Sequence, residues 1–328
     1  NTAAKHVNEL IDYGFEMVMV DEAHRSAAAS YVKVFKYLSP YFVYGFTGTA
    51  FRNGTDNLVL EAIYGMERPK VSNLEMIEQG YSCRVEVNFT EIDQKEDCDK
   101  LDPYMLVYKD GIVDSTSYNT AVIERIIHHT DEDRVVVVQV AHKKQGKLLY
   151  FMLKEMDVKT ILVDGDTQGL ENYNKLQAFK KGQFQVAIGT VINEGFDHDG
   201  LDVVVNAAGY KAAGMTKQKL GRVLRIRDGK EKGFYEDFYS TGHSILEKHS
   251  RKRAETLEKE GFKVPILEVV RKREAAEKAK LAKEQEKANV KFAEVKKHLE
   301  DRSYVAVTSK SLAKSKFVEN NKESEIVI

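Results

Sequence analysis

Four segments of this chain carry residues whose types and spacing can do chemistry on a triphosphate. Asp21-Glu22-Ala23-His24 sets two adjacent carboxylates directly behind an apolar run, Phe15 to Val20. Two acids there can divide the work of phosphoryl transfer: one holds Mg2+ through water, and the other orients and activates the attacking water. The same tetrapeptide also suits an acid pair at a helix start, with His24 on the surface. Thr47-Gly48-Thr49 follows a second apolar run. Its hydroxyls can hydrogen-bond the acids and pass on a change of position, or the triplet can be a plain glycine turn. Arg52, just beyond, suits a phosphate contact or a solvated charge.

The third segment, Thr190 to Asp197, reads Thr-Val-Ile-Asn-Glu-Gly-Phe-Asp. Gly195 permits close backbone approach, Asp197 can accept from a ribose hydroxyl, and Thr190 can donate to a nucleic-acid phosphate. A loop with a glycine turn and a capping aspartate fits the same residues. The fourth is Gln218-Lys219-Leu220-Gly221-Arg222-Val223-Leu224-Arg225. On a helix, Gln218, Gly221, Arg222 and Arg225 share one face, while Leu220, Val223 and Leu224 take the other. Such a helix buries its apolar side and presents two guanidiniums together, a pairing suited to bidentate phosphate contact and to transition-state charge. The alternative is a basic solvated face. No Gly-x-x-x-x-Gly-Lys-Ser/Thr occurs, and neither Gly146-Lys147 nor Gly229-Lys230 has its spacing.

These residues need elements to position them. Short Val/Ile-rich runs recur at Tyr41 to Phe46, Val135 to Val140, Thr160 to Val163, Phe184 to Ile188 and Val203 to Val205. They lack clean alternation, as expected for strands buried on both faces of a parallel sheet. Helical patterns lie between: Thr2 to Ile11, Ala27 to Tyr37, Thr120 to His128, Lys143 to Met156 and Leu170 to Lys180. Ser72 with Glu75 forms a capping-box pattern for a short helix stopping at Gly80. Strands alternating with helices indicate an α/β protein.

The 328 residues fit two ordinary domains, and 42% hydrophobic content excludes disorder over the whole length. We expect a first lobe over 1–85, with only two strong strands, and a second over 86–245. The acidic stretch Cys83 to Asp102 reads as a hinge with a crossing strand. Residues 246–300 hold 16 Lys/Arg against 11 Asp/Glu. Val269 to Leu299, free of Gly and Pro, is expected to be one helix. Residues 301–328, rich in Ser and Lys, are expected to be a mobile tail. With 50 basic and 51 acidic residues the chain is no polycation, so a nucleic-acid site must come from local placement of charge. No run approaches a membrane span. Cys83 and Cys98 are too few for a disulfide framework or a cysteine zinc site, which suits a reducing compartment. The cytoplasm is the expected location, or that of a host cell if the protein is viral.

Taken in order, the segments resemble the motifs of the superfamily 2 helicases. Asp21 to His24 looks like the second, DEAH-type motif, and Thr47 to Thr49 like the third. Val135 to His142 resembles the fourth, Thr190 to Asp197 the fifth and Gln218 to Arg225 the sixth. Gly45 to Arg52 is similar to the restriction-type branch, which includes phage recombination helicases and excision-repair translocases. His249, Arg253 and Glu260 to Val264 look like that branch's short helix after the last motif. The resemblance runs from about residue 8 to residue 265.

It implies two RecA-like parallel-sheet lobes, the first incomplete, with a charged helical extension. ATP and Mg2+ would bind between the lobes. Asp21 is implied to hold Mg2+ and Glu22 to be the base. His24, Thr47, Thr49 and Gln218 couple nucleotide state to closure, with Gln218, Gly195 and Asp197 at the nucleotide. Arg222 and Arg225 reach the γ-phosphate, Arg225 as the finger. Thr190 and Arg52 touch the nucleic-acid backbone. The family's phosphate-binding loop is expected before Asn1, in an upstream segment or a partner subunit.

The resemblance implies an ATP-dependent helicase or translocase acting on forked or branched DNA with weak sequence specificity. An RNA helicase is an alternative. So is a split or degenerate module that binds nucleic acid or a partner without turnover. The basic helix suits duplex binding, a solvated single helix or a partner helix.

Overall fold

The computed structural model describes residues 2–48, 56–66, 71–94, 103–167, 169–190, 192, 198, 200–211, 216 and 220–322. The chain divides into two compact units, Asn1–Leu267 and Glu268–Ile328.

The first unit opens with two short helices, α1 (Thr2–Lys5) and α2 (Val7–Asp12). The sequence suggests one helix here, but His6 leaves helical geometry at φ −106°, ψ 25°, and its ring meets Glu9 Oε1 at 2.9 Å. Next come β1 (Met17–Asp21), a 3-10 turn (Ala23–Arg25), α3 (Ala29–Leu38) and β2 (Phe42–Phe46). The two strands pair in parallel from Met17 opposite Phe42 to Asp21 opposite Phe46. That in-step register brings Asp21 and Thr47 out at the same sheet edge. Burial on both faces does not hold for this pair: Met19 is 63% and Phe46 57% exposed. Among the described residues each of these strands pairs only with the other, so their outer apolar side chains meet no further layer of sheet.

Two helices follow, α4 (Asp56–Tyr64) and α5 (Asn73–Glu78). The capping box at α5 is formed: Glu75 N donates to Ser72 Oγ at 3.1 Å, and Ser72 N to Glu75 Oε2 at 2.7 Å. Gly80 ends the segment at φ 75°, a left-handed position that glycine adopts without steric cost.

The rest of the unit is built on a six-stranded, all-parallel sheet. In chain order its elements are β3 (Arg84–Asp93), α6 (Tyr104–Tyr108), α7 (Thr116–Thr130), β4 (Val136–Gln139) and α8 (Lys143–Glu155). They continue through β5 (Thr160–Val163), α9 (Gly169–Lys180), β6 (Val186–Gly189), β7 (Val203–Asn206), β8 (Lys232–Thr241) and α10 (Ser244–Lys259). The strand order is β3-β8-β7-β4-β6-β5. The central strands β4, β6 and β7 are buried along their whole length, as their unbroken Val/Ile runs require. Their side chains pack with Tyr118, Val122 and Ile126 of α7 and Leu149 and Leu153 of α8. The hinge segment thus yields a ten-residue strand at the sheet edge, and β8 is a strand the sequence reading did not anticipate.

Residues 246–259, grouped by charge with the extension, lie in α10, whose Leu246, Ala254 and Leu257 are buried. The final helix, α11 (Pro265–Lys322), has 58 residues. At ~1.5 Å per residue it is about 87 Å long. It begins with proline, a favoured first helical residue, and contains no later Gly or Pro. It therefore continues beyond Leu299 through residues 301–322, where the sequence reading placed a mobile tail. Among the described residues no helix is long and apolar enough to cross a membrane.

Candidate functional site

The first group of site residues hangs on the end of β1. Asp21 is its last residue, and its Oδ1 accepts the Glu22 backbone N–H at 2.8 Å. Glu22 lies in the left-handed region, at φ 50°, ψ 45°, uncommon for a residue with a side chain. The chain turns sharply there into the Ala23–Arg25 turn and brings His24 back toward β2. His24 Nδ1 lies 2.9 Å from Thr47 Oγ1 and 3.1 Å from Glu22 Oε2. The imidazole is 12% exposed, while the Glu22 side chain is 44% exposed and keeps its carboxylate open to water. Gly45 in β2 makes room for the turn: a Cβ there would sit 2.8 Å from Ala23 Cβ and 2.9 Å from Tyr64 Cε1. Tyr64 in turn meets the buried Ser26 hydroxyl at 2.6 Å.

The second group begins at the carboxyl ends of β4 and β6 in the large sheet, where open α/β sheets bind ligands. β6 ends at Gly189, where a Cβ would meet Val163 O at 2.3 Å and Ile192 Cγ1 at 2.9 Å. This crowding directs the chain into Thr190 and Ile192. Gln139, the last residue of β4, donates from Nε2 to Ile192 O at 3.2 Å, and Arg222 Nη1 donates to the same carbonyl. Residues 220–223 are helical. Leu220, Val223 and Leu224 are buried while Gly221 and Arg225 are exposed, but the helix stops at Val223, so Arg225 lies beyond it rather than on the expected face. Arg222 is half-buried, and loss of water lowers its pKa.

The structure thus brings Asp21, Glu22, His24 and Thr47 together in one lobe; in the other, Thr190 follows β6 and Arg222 reaches the Ile192 carbonyl, while the main chain of Arg225 lies at the amino end of the sheet, beside Leu201 and Cys83. Thr49, Arg52, Gly195, Asp197 and Gln218 lie outside the described residues.

Two buried polar networks behind the second group escaped the sequence reading. Glu236, fully buried in β8, takes Arg125 Nη2 at 2.8 Å, Arg125 Nε at 3.0 Å, His129 Nε2 at 2.9 Å and Asn88 Nδ2 at 3.1 Å. Arg134 Nη1 lies 2.9 Å from His129 Nδ1. A guanidinium only donates, so Nδ1 accepts and the His129 proton sits on Nε2, facing Glu236. Burial works to raise the Glu236 carboxyl, but the His129 and Arg125 hydrogen bonds prevail and bring it down to about 2. Beside it, buried Arg253 of α10 donates to Asp237 at 2.9 to 3.1 Å, to Phe238 O at 2.8 Å and to Gly209 O at 2.9 Å. Adjacent acids in a strand gave no sign of which cations would neutralise them.

Among the described residues no three His, Cys, Asp or Glu side chains gather as a metal cage. The donor set at β1 fits Mg2+ nonetheless. That ion keeps several waters and phosphate oxygens and needs only one or two carboxylates from protein.

Known proteins share both the sequence and the architecture. Residues 1–52 match the family model of the type III restriction enzyme res subunit, and residues 118–227 match the helicase conserved C-terminal domain. A Saccharomyces cerevisiae protein named as an ATP-dependent helicase, IRC3, is 24% identical over 235 residues, covering 68% of this chain and 34% of the relative. A protein of a Sulfolobus islandicus filamentous virus, named as helicase 22, is 24% identical over 260 residues, covering 75% and 46%. The chain therefore spans less than half the length of either relative. A fragment assigned as the HsdR subunit of a type I restriction enzyme from Vibrio vulnificus YJ016 shares the fold, with TM-score 0.52 and 16% identity over 74% of this chain and 48% of that one.

The parallel sheets have the fold of RecA-like helicase domains. Over the residues those family models match, the chain is similar to superfamily 2 helicases of the restriction-type branch.

Proposed function

We propose that this chain carries the acid motif and the arginine motif of an ATP-driven DNA helicase or translocase that works on forked or branched duplex. The observation that carries the reading is the junction at the first lobe: one nitrogen of His24 contacts both the Glu22 carboxylate and the Thr47 hydroxyl. An acid pair that merely starts a helix has no use for that link.

In this reading the lobes are residues 1–85 and 86–245, and ATP lies between them. The Asp21 carboxylate holds Mg2+, which neutralises charge on the phosphate oxygens when bound. Glu22 takes the proton of the attacking water. Arg225, exposed at its helix end, meets charge developing on the γ-phosphate, with Arg222 beside it. Gly195, Asp197 and Gln218 contribute to the nucleotide site. His24, Thr47 and Thr49 pass the change at the phosphate to the rest of the lobe. Thr190 and Arg52 hold a nucleic-acid backbone, a contact that carries little sequence information and weakens with salt. The phosphate-binding loop comes from an upstream segment or another subunit.

The preference for DNA rests on the restriction-type branch. The test is an ATPase assay on the full-length product with forked DNA, single-stranded DNA and RNA. Stimulation strongest by forked DNA supports the proposal. Stimulation by RNA alone makes the protein an RNA helicase. Nucleic-acid binding without turnover makes it a non-enzymatic module.

A further inference from the structure

The backbone that carries Arg225 is gripped from two directions. Lys230 Nζ donates to Val223 O at 2.8 Å, to Leu201 O at 2.8 Å and to Arg225 O at 3.1 Å. An ammonium has three N–H groups, and here each has a main-chain carbonyl. Cys83, in the connection between α5 and β3, donates its backbone N–H to Leu224 O at 2.8 Å and its thiol to Val223 O at 2.9 Å. The carbonyls of three consecutive residues, 223, 224 and 225, are all held.

The surroundings are built to keep Lys230 there. A turn closed by Lys230 N to Arg227 O at 3.0 Å, with Gly229 at φ 79°, folds the lysine back under the helix end. Arg227 Nη2 is fixed on Asp202 Oδ1 at 3.1 Å. A Cβ on Gly233 would meet Val223 O at 2.5 Å, so the start of β8 presses against the same carbonyl. Carbonyls at a helix end also attract a cation. Burial lowers the Lys230 pKa, with the Cys83 thiol and Asp202 opposing.

We infer that Lys230 is a positioning residue for Arg225, and that with Cys83 it ties the arginine segment to the connection between the two lobes. The inference rests on the ATP-motor reading and adds a residue to it. Lys230 touches no substrate. It fixes the main chain from which an exposed side chain must reach a phosphate.

The test uses the full-length protein, with kcat and KM for ATP measured beside thermal melts. Lys230→Met keeps the stem and removes every donor. A misplacement of ~1 Å near a reacting group can cost about a hundredfold, so kcat is expected to fall about tenfold to a hundredfold while KM stays within about twofold. Cys83→Ser keeps a donor and is expected to stay near wild type. Cys83→Val removes the donor and is expected to fall in the same direction as Lys230→Met. A wild-type kcat in both Lys230→Met and Cys83→Val overturns the inference. So does a loss that matches the unfolded fraction in the melts, or Cys83→Ser as impaired as Cys83→Val. Arg225→Ala separates the two levels: if it turns over ATP at the wild-type rate, the motor reading itself fails. If only Arg225→Ala is inactive, the motor reading stands and the role of Lys230 falls.

Discussion

The Nδ1 atom of His24 lies 2.9 Å from the hydroxyl oxygen of Thr47, across the ends of two parallel strands. With Glu22 Oε2 3.1 Å from the same nitrogen, a proton on Nδ1 serves both acceptors. Thr47→Val keeps the shape of the side chain and removes one partner. In the full-length protein we expect ATP hydrolysis to persist within a few-fold and strand displacement to fall about tenfold or more, since one hydrogen bond is worth ~1 kcal/mol and the motor repeats the step many times. Parallel ATPase and unwinding assays check this. Equal losses in the two would place Thr47 in chemistry rather than coupling.

Arg222 lies in the helical turn 220–223 and Arg225 just beyond it, and the two differ in surroundings. Arg225 is exposed, whereas Arg222 is half-buried and donates to Ile192 O. Arg225→Ala is expected to cut turnover by about 10³–10⁵ with unchanged melting and largely retained nucleic-acid binding. Arg222→Ala is expected to lower the melting temperature as well, because it removes one of two donors to the Ile192 carbonyl and leaves Gln139 alone there. Rates and melts of the two variants distinguish them.

Glu236 gives a pH dependence with a definite sign. Its carboxyl lies at about 2 in the fold against an ordinary value of 4.5. A depressed carboxylate stabilises fully above its unfolded pKa, and that contribution is lost as pH falls from 4.5 toward about 2. The shift corresponds to about 3 kcal/mol at neutral pH. Glu236→Gln should lose an amount of that order at pH 7 and show a flatter stability profile between pH 4.5 and 2. Urea titrations across that range measure it.

Gly189→Ala is expected to destabilise the large sheet. The new methyl would sit 2.3 Å from Val163 O, a backbone atom that cannot swing aside. Overpacking of this kind costs about 1–3 kcal/mol. A urea midpoint within error of wild type would show that β5 and β6 can part more easily than their register suggests.

Much of the second lobe was legible because β4, β5, β6 and β7 are short runs of Val, Ile and Leu buried on both faces. Thr160–Val163 falls where expected, and the other three agree to within one or two residues. β3 and β8 were harder because charge interrupts them. Glu86 and Glu91 lie in β3, and Glu236 and Asp237 are adjacent in β8. Sequence pattern treats such acids as solvated. Glu86 and Glu91 are indeed exposed, but Glu236 and Asp237 are buried, and Arg125, His129 and Arg253, up to about a hundred residues away, make that burial affordable. The place of the acids at the end of β1 was legible from the apolar run before them, whereas the helix expected over Gln218 to Arg225 stops at Val223. The grip of Lys230 was not, since its partners are carbonyls, which every residue has.

Glu22 stands at φ 50°. The direction of its carboxylate is therefore written into main-chain torsion more than into the packing of its own side chain. Glycine and asparagine accept that corner readily, whereas a β-branched residue must unwind it. Replacing the acid with either residue can therefore remove the charge and leave the main-chain corner intact.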